Sequence, residues 1–231
     1  QDIFGTLTQR AKPNLSPSTL TAAVAVGMFY DSRWLTPKGV GALGAETVAM
    51  THGSPEAFLS GALVAYMIAG ILQDKDTPLR EQFLYAASAV MDQFAGTYPV
   101  AEDIVCDVRR AIGMADEDTD AREGMELLKC ETASECVAGA VFACLTSPED
   151  FDTAIITAVN HSGQSAAVGA IAGALLGAKM GEEALPEFYL ESLGQRYILQ
   201  SLAEDMAKGS VIKIRKYFCA NLIKPSHVDF F

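Results

Sequence analysis

Apolar residues recur at intervals of three or four along most of the 231-residue chain, the spacing that gives an α-helix one buried face. Turn-forming residues interrupt the pattern, and no stretch alternates apolar and polar residues for long enough to predict a sheet. The pattern predicts helices over residues 17–29, 39–50, 55–72, 77–94, 100–113, 120–128, 133–145, 150–160, 165–179, 186–193 and 197–208. We therefore predict an all-α protein, a compact orthogonal multi-helix bundle.

Several of these helices have recognisable start signals. Ser54 is a candidate N-cap, Pro55 suits the first turn, and the charge of Glu56 complements the positive end of the helix. Ser147 is a candidate cap for the helix that follows it. The acidic run 116–120 lacks the central glycine of a calcium loop, so we interpret it as a solvated loop that caps the next helix.

Residues 160–181 combine a short polar loop with a helix that has few large side chains. The helix carries a small residue at every fourth position, at Ser165, Gly169, Gly173, Gly177 and Gly181. At helical spacing these residues form one smooth stripe, which predicts a buried central helix closely approached by another backbone. The loop leads to the unpaired N–H groups of the helix start, where polar ligands bind. The predicted ligand-binding residues are Asn160, His161, Ser162, Gly163, Gln164 and Ser165, called here the 160–165 loop.

Composition limits the classes of function. Half of the residues are apolar, enough for a sizeable core, and we expect one domain over residues 1–231. The formal charge of −12 argues against nucleic-acid binding, because the phosphate backbone attracts clustered Lys and Arg, and the only basic cluster, at 208–216, is short. The uncharged runs 57–73 and 159–178 suit buried helices better than a bilayer span, so we expect no membrane association.

The chain has five cysteines, an odd number whose spacings match no tetrahedral zinc pattern. We expect free, buried thiols and therefore a reducing compartment. Cys136 and Cys144 should lie two turns apart on one helix. The N-terminal residues lack a charged-then-apolar targeting signal, which agrees with a cytoplasmic location. The cysteines are Cys106, Cys130, Cys136, Cys144 and Cys219.

Two segments resemble the ADP-ribosylglycohydrolase family. Asn160, Ser162 and Gly163, followed by the run 169–174 (Gly-Ala-Ile-Ala-Gly-Ala), are similar to its C-terminal signature. The segment 51–57, Thr-His-Gly-Ser-Pro-Glu-Ala, resembles the family's Thr-His-x-x-Pro-x-Ala element, which joins two helices beside the site. The resemblance covers about residues 20–193. It implies an all-helical fold and magnesium-dependent hydrolysis of the bond between ADP-ribose and a modified side chain.

The chain departs from the family at the metal-binding positions. Where the family supplies two carboxylates and a hydroxyl, this chain has Gln164, Ala166 and Ala167. The family's Gly-Asp-Ala-Leu-Gly and Thr-Asp-Asp motifs, and its Asn-Gly-x-x-Arg element, have no counterpart. A hard divalent cation prefers carboxylate oxygens, so we predict no metal site and no catalytic residue in this chain. Magnesium is expected only if residues absent from the chain complete the family site.

Three hypotheses follow. The first, which we favour, is a catalytically inactive relative with a binding, regulatory or structural role, whose partner is an ADP-ribose-like small molecule or a protein. The second is a hydrolase whose remaining metal ligands come from a missing N-terminal segment or a partner chain. The third is an unrelated helical interaction protein. For His52 and His161 we favour structural roles over ligand contact. The sequence leaves the oligomeric state open.

Overall fold

The computed structural model describes residues 5–29 and 36–207. The chain divides into two compact units, Gln1–Leu185 and Pro186–Phe231. The prediction of one domain over residues 1–231 stays a prediction. In the second unit two helices are described, and Arg196 Nη1 lies 3.0 Å from Glu187 Oε1. The basic cluster 208–216 and Cys219 lie outside the described residues.

The described residues form α-helices and no strand, so the all-α prediction is confirmed. A short 3-10 helix, Glu182–Ala184, follows the ninth helix. The α-helices are α1 (Leu20–Met28), α2 (Pro37–Ala49), α3 (Pro55–Gln73), α4 (Leu79–Phe94), α5 (Ala101–Asp116), α6 (Ala121–Leu127), α7 (Ala133–Thr146), α8 (Phe151–Val159), α9 (Ser165–Met180), α10 (Glu187–Glu191) and α11 (Arg196–Ala207).

The centre of the first unit is α3. It packs against α1, α2, α4, α5, α7 and α9, and it buries 13 of its 19 residues. The largest buried side chains on it include Phe58, Leu63 and Met67. A close backbone approach occurs between α2 and α3, where a methyl group added at Gly61 would lie 3.0 Å from the carbonyl oxygen of Gly44. The small residues of these two helices therefore set their separation.

The prediction that α9 is the buried central helix is wrong. α9 buries only 5 of its 16 residues, namely Val168, Ile171, Ala172, Leu175 and Leu176. The glycine stripe lies beside the buried face of α9. Its first half packs against side chains of α8 and not against another backbone. A methyl group added at Gly169 would lie 2.6 Å from Val159 Cγ1, whereas one added at Gly177 would meet nothing within 4 Å.

Side chains of polar residues cap the first turns of α6, α7 and α8. Thr132 and Glu135 form a complete capping box at the start of α7, and Asp120 accepts hydrogen bonds from the amides of Arg122 and Glu123, as expected for an acidic capping loop. Ser147 does not cap α8; it ends α7, and Asp150 caps α8 by accepting from the amide of Thr153 at 3.1 Å.

At the starts of α1 and α3, the hydroxyl of the residue before the helix bonds elsewhere and does not cap the helix. Ser54 occupies the N-cap position of α3, but its Oγ accepts a hydrogen bond from the amide of Asn14 at 2.9 Å and makes no cap bond. The first helix was predicted from residue 17, yet α1 starts at Leu20. Thr19, which precedes it, pairs its hydroxyl with His52 Nδ1 at 3.1 Å instead of capping the helix.

α3 is the only helix in the described residues that is long and apolar enough to cross a bilayer. Within the apolar stretch, 72% of the residues are buried inside the protein, as in the core helix of a soluble protein. This finding is weak evidence for a membrane span. The expectation of no membrane association stays a prediction.

The four described cysteines are free. Cys130, Cys136 and Cys144 are buried as predicted, and the last two share α7, whereas Cys106 is exposed and contradicts the prediction. Burial raises the pKa of Cys130 to about 12 and raises the pKa of the other two buried thiols as well. These thiols are therefore protonated and unreactive at neutral pH.

Candidate functional site

The 160–165 loop connects α8 to α9, and its first two residues close the end of α8. Asn160 donates from Nδ2 to the carbonyl oxygen of Ile156 at 2.7 Å. His161 Nε2 lies 3.0 Å from the carbonyl oxygen of Ala158, and its Nδ1 accepts from the amide of Gly163 at 3.1 Å. This arrangement requires the proton on Nε2, so both ring nitrogens are used, which supports the structural interpretation of His161.

Ser162 fastens the loop to α6. Its amide donates to Glu126 Oε1 at 3.1 Å, and its hydroxyl donates to Glu126 Oε2 at 2.5 Å. The hydroxyl bond is the main reason that the pKa of Glu126 is lowered, because it stabilises the charged carboxylate. Both oxygens of Glu126 are thus occupied by one residue of the loop.

Gly163 lies directly against the backbone that joins α6 to α7. Lys129 and Cys130 in that connection have left-handed backbone angles, with φ of 61° and 56°, which are strained for residues other than glycine. A methyl group added at Gly163 would lie 2.2 Å from the carbonyl oxygen of Lys129 and 2.6 Å from that of Cys130. The amide of Gln164 donates to the same Cys130 oxygen at 2.8 Å. Only glycine fits this contact.

The residues at the family's metal positions offer no carboxylate. Gln164 and Ala166 are exposed, Ala167 is half-buried, and Ser165 donates its hydroxyl to the carbonyl oxygen of His161 at 3.2 Å. Magnesium is held in proteins mainly by carboxylates together with water. In the described ranges, no group of three or more His, Cys, Asp or Glu side chains is arranged to hold a metal ion. The residues present at the loop therefore do not fit the family's pair of magnesium ions.

The first half of the loop lines a cleft of about 640 Å³ between α6 and α8. Of the predicted ligand-binding residues, Asn160, His161 and Ser162 face the cleft, whereas Gly163, Gln164 and Ser165 are not among its lining residues. The loop residues that contact this cleft are thus separate from those at the metal positions. The remaining lining residues are Ala121, Arg122, Glu126, Ile156, Thr157 and Val159.

The segment 51–57 is held by polar contacts with the chain's own residues. His52 is buried, and its ring meets the hydroxyls of Thr51, Thr19 and Ser18 at 2.8, 3.1 and 3.3 Å. Burial lowers the pKa of His52 because it disfavours the charged ring. Glu56, at the start of α3, accepts from the hydroxyl of Ser134 at 3.0 Å. These contacts support the structural interpretation of His52.

Two features of the site were missed from the sequence. Glu126 lies 36 residues from Ser162, and no local pattern marks it as the partner of the loop. The left-handed pair Lys129–Cys130 carries no glycine or asparagine signal for such a conformation. Glycine at 163 was the only available indication that another backbone comes close.

Comparison with known proteins gives a family match that agrees with the fold. The protein-family model for ADP-ribosylglycohydrolase matches residues 6–213, a wider span than the two motifs indicated. The comparisons with curated proteins and with solved structures give no match. The family match and the all-α fold contradict the hypothesis of an unrelated helical interaction protein. This chain belongs to the ADP-ribosylglycohydrolase family.

Proposed function

We propose that this chain is a member of the ADP-ribosylglycohydrolase family that does not catalyse magnesium-dependent hydrolysis and that uses the helical scaffold for a binding role. One observation carries the proposal. The family's metal-binding positions, two carboxylates and a hydroxyl, are held by Gln164, Ala166 and Ala167, and the carboxylate bonded to the loop, Glu126, has both oxygens engaged by Ser162.

The chemistry of the family depends on charge that these residues lack. Bound dications polarise substrate oxygens and position water, and holding them requires anionic oxygen ligands in fixed geometry. A neutral amide and two methyl groups supply none. His161 offers no alternative base, because its two ring nitrogens are already engaged with backbone groups of the loop and of α8.

The binding role is supported by the cleft that Asn160, His161 and Ser162 line. Its volume of about 640 Å³ lies within the range of small-molecule sites. The ADP-ribose-like ligand and the protein partner that the resemblance implies stay predictions, as does the cytoplasmic location. Titration of ADP-ribose against thermal melting, with and without magnesium, tests the first, since a ligand of the folded state raises the melting temperature. We expect at most a metal-independent shift.

A turnover assay tests the proposal directly. Purified protein is incubated with ADP-ribosylated arginine or serine substrates, with magnesium or with a chelator, and released ADP-ribose is measured. We expect no magnesium-dependent release. Turnover that the chelator abolishes would overturn the proposal and favour a hydrolase whose metal ligands come from elsewhere. A variant carrying Gln164→Asp, Ala166→Asp and Ala167→Thr serves as the comparison, and we expect it to gain weak magnesium binding.

A further inference from the structure

The cleft between α6 and α8 contains one cationic side chain, that of Arg122, whose charge contributes to lowering the pKa of Glu126 on the same helix. Arg122 lines the cleft, and its guanidinium makes no hydrogen bond or ion pair with any residue in the described part of the chain. The neighbouring polar groups are already in use, since Asn160, His161 and Ser162 bond to α8, to the loop itself and to Glu126. The guanidinium N–H groups of Arg122 are thus available to a ligand.

The opposite wall of the cleft presents aliphatic surface. Ile156 and Val159 lie three residues apart on α8, so they share one face of the helix. Their side chains are 51% and 39% exposed, although both residue types are usually buried. A ligand that covers these side chains would remove apolar surface from water, which favours binding. The cleft therefore matches a molecule with an anionic end and an apolar body.

The charges in the cleft also restrict which ligands can bind there. The planar guanidinium of arginine pairs with a carboxylate through two parallel hydrogen bonds. Among the described residues that line the cleft, Arg122 carries the one fixed positive charge and Glu126 carries a negative one, so the guanidinium matches a single anionic group. We infer that the cleft binds a small organic monocarboxylate, with its carboxylate on Arg122 and its apolar body over Ile156 and Val159. The inference rests on the proposed binding role of the scaffold.

Calorimetric titration of the whole chain with 4-phenylbutyrate tests this site, and the neutral 4-phenylbutyramide tests the need for the charge. We expect the wild-type protein to bind the acid, with affinity that falls as salt is added, and not to bind the amide. Arg122→Gln should weaken binding at least tenfold. Arg109→Gln is the matched control, since Arg109 is an exposed cation on α5 outside the cleft, and we expect unchanged affinity.

A second variant examines the apolar wall. Ile156→Ser replaces a half-exposed side chain, so the fold is retained, and we expect a severalfold loss of affinity with the same salt dependence. Absence of binding by the wild-type protein, equal binding of acid and amide, or equal loss in the two arginine variants would each overturn the inference. Chelator-sensitive release of ADP-ribose would instead overturn the proposed function. The two failures are therefore distinguished by separate measurements.

Discussion

The contact between Gly163 and the α6–α7 connection gives a sharp stability prediction. In Gly163→Ala, the new methyl carbon would lie 2.2 and 2.6 Å from two backbone carbonyl oxygens, distances that real structures do not contain. The backbone on both sides must separate, because neither neighbour is the end of a flexible side chain. Separation also lengthens the hydrogen bond between the amide of Gln164 and the oxygen of Cys130, now 2.8 Å.

The magnitude follows from these two effects. Overpacking of a tight contact costs about 1–3 kcal/mol, and loss of the buried hydrogen bond costs about 1 kcal/mol more. We expect Gly163→Ala to lower the free energy of unfolding by about 2–4 kcal/mol. For a chain of this size the melting temperature should then fall by about 5–15 °C.

Urea denaturation followed by circular dichroism measures the change. Gly113→Ala is the matched control, because Gly113 lies in α5 and a methyl group added there meets nothing within 4 Å. That variant should be more stable than the wild type by about 0.5–1 kcal/mol, the helix-interior advantage of alanine over glycine. If Gly163→Ala unfolds within about 0.5 kcal/mol of the wild type, the reasoning about this close contact is refuted.

Three further outcomes are expected. In denaturant unfolding, Gly177→Ala should stabilise the protein by up to about 1 kcal/mol, whereas Gly169→Ala, whose added methyl group meets a side chain of α8 at 2.6 Å, should not. The pKa of His52 is lowered below its usual 6.5, because the folded protein disfavours the charged ring. The contribution of the neutral ring to the free energy of unfolding is therefore complete above that pH and declines as pH falls. The difference in unfolding free energy between wild type and His52→Asn should therefore shrink from about pH 7.5 to about pH 5.5, and a constant difference would contradict it. By NMR titration, Ser162→Ala should raise the pKa of Glu126 towards its usual value, and an unchanged pKa would show that the hydroxyl bond is not its cause.

Local signals in the sequence predicted the helices and several of their ends. The spacing of apolar residues depends only on the period of the helix, so every described α-helix has a predicted counterpart, whereas the 3-10 helix Glu182–Ala184 has none. The capping box at Thr132 is of the local kind that sequence can indicate, because its partner, Glu135, is three residues away. Ser54 shows the limit of such signals. Its position before the helix was predicted. Its hydroxyl, however, bonds to the amide of Asn14, a contact that exists only in the folded chain.

Long-range contacts explain the errors at α9 and at the site. The glycine stripe indicated a close approach, but the sequence could not tell that side chains of α8 would cover its first half and leave Gly177 open. The cleft required α6 and α8 to lie beside the loop, and the bond between Ser162 and Glu126 spans 36 residues. Residue types near 160–165 predicted a ligand site, yet most of their polar atoms hold the loop together.

The hydrogen bonds that hold the 160–165 loop bear on the thermal stability of the protein when metal ions are removed. Asn160, His161 and Ser165 bond to nearby backbone, and Ser162 bonds to the carboxylate of Glu126, so the chain's own groups hold the connection in place. Depletion of dications should therefore leave heat resistance unchanged.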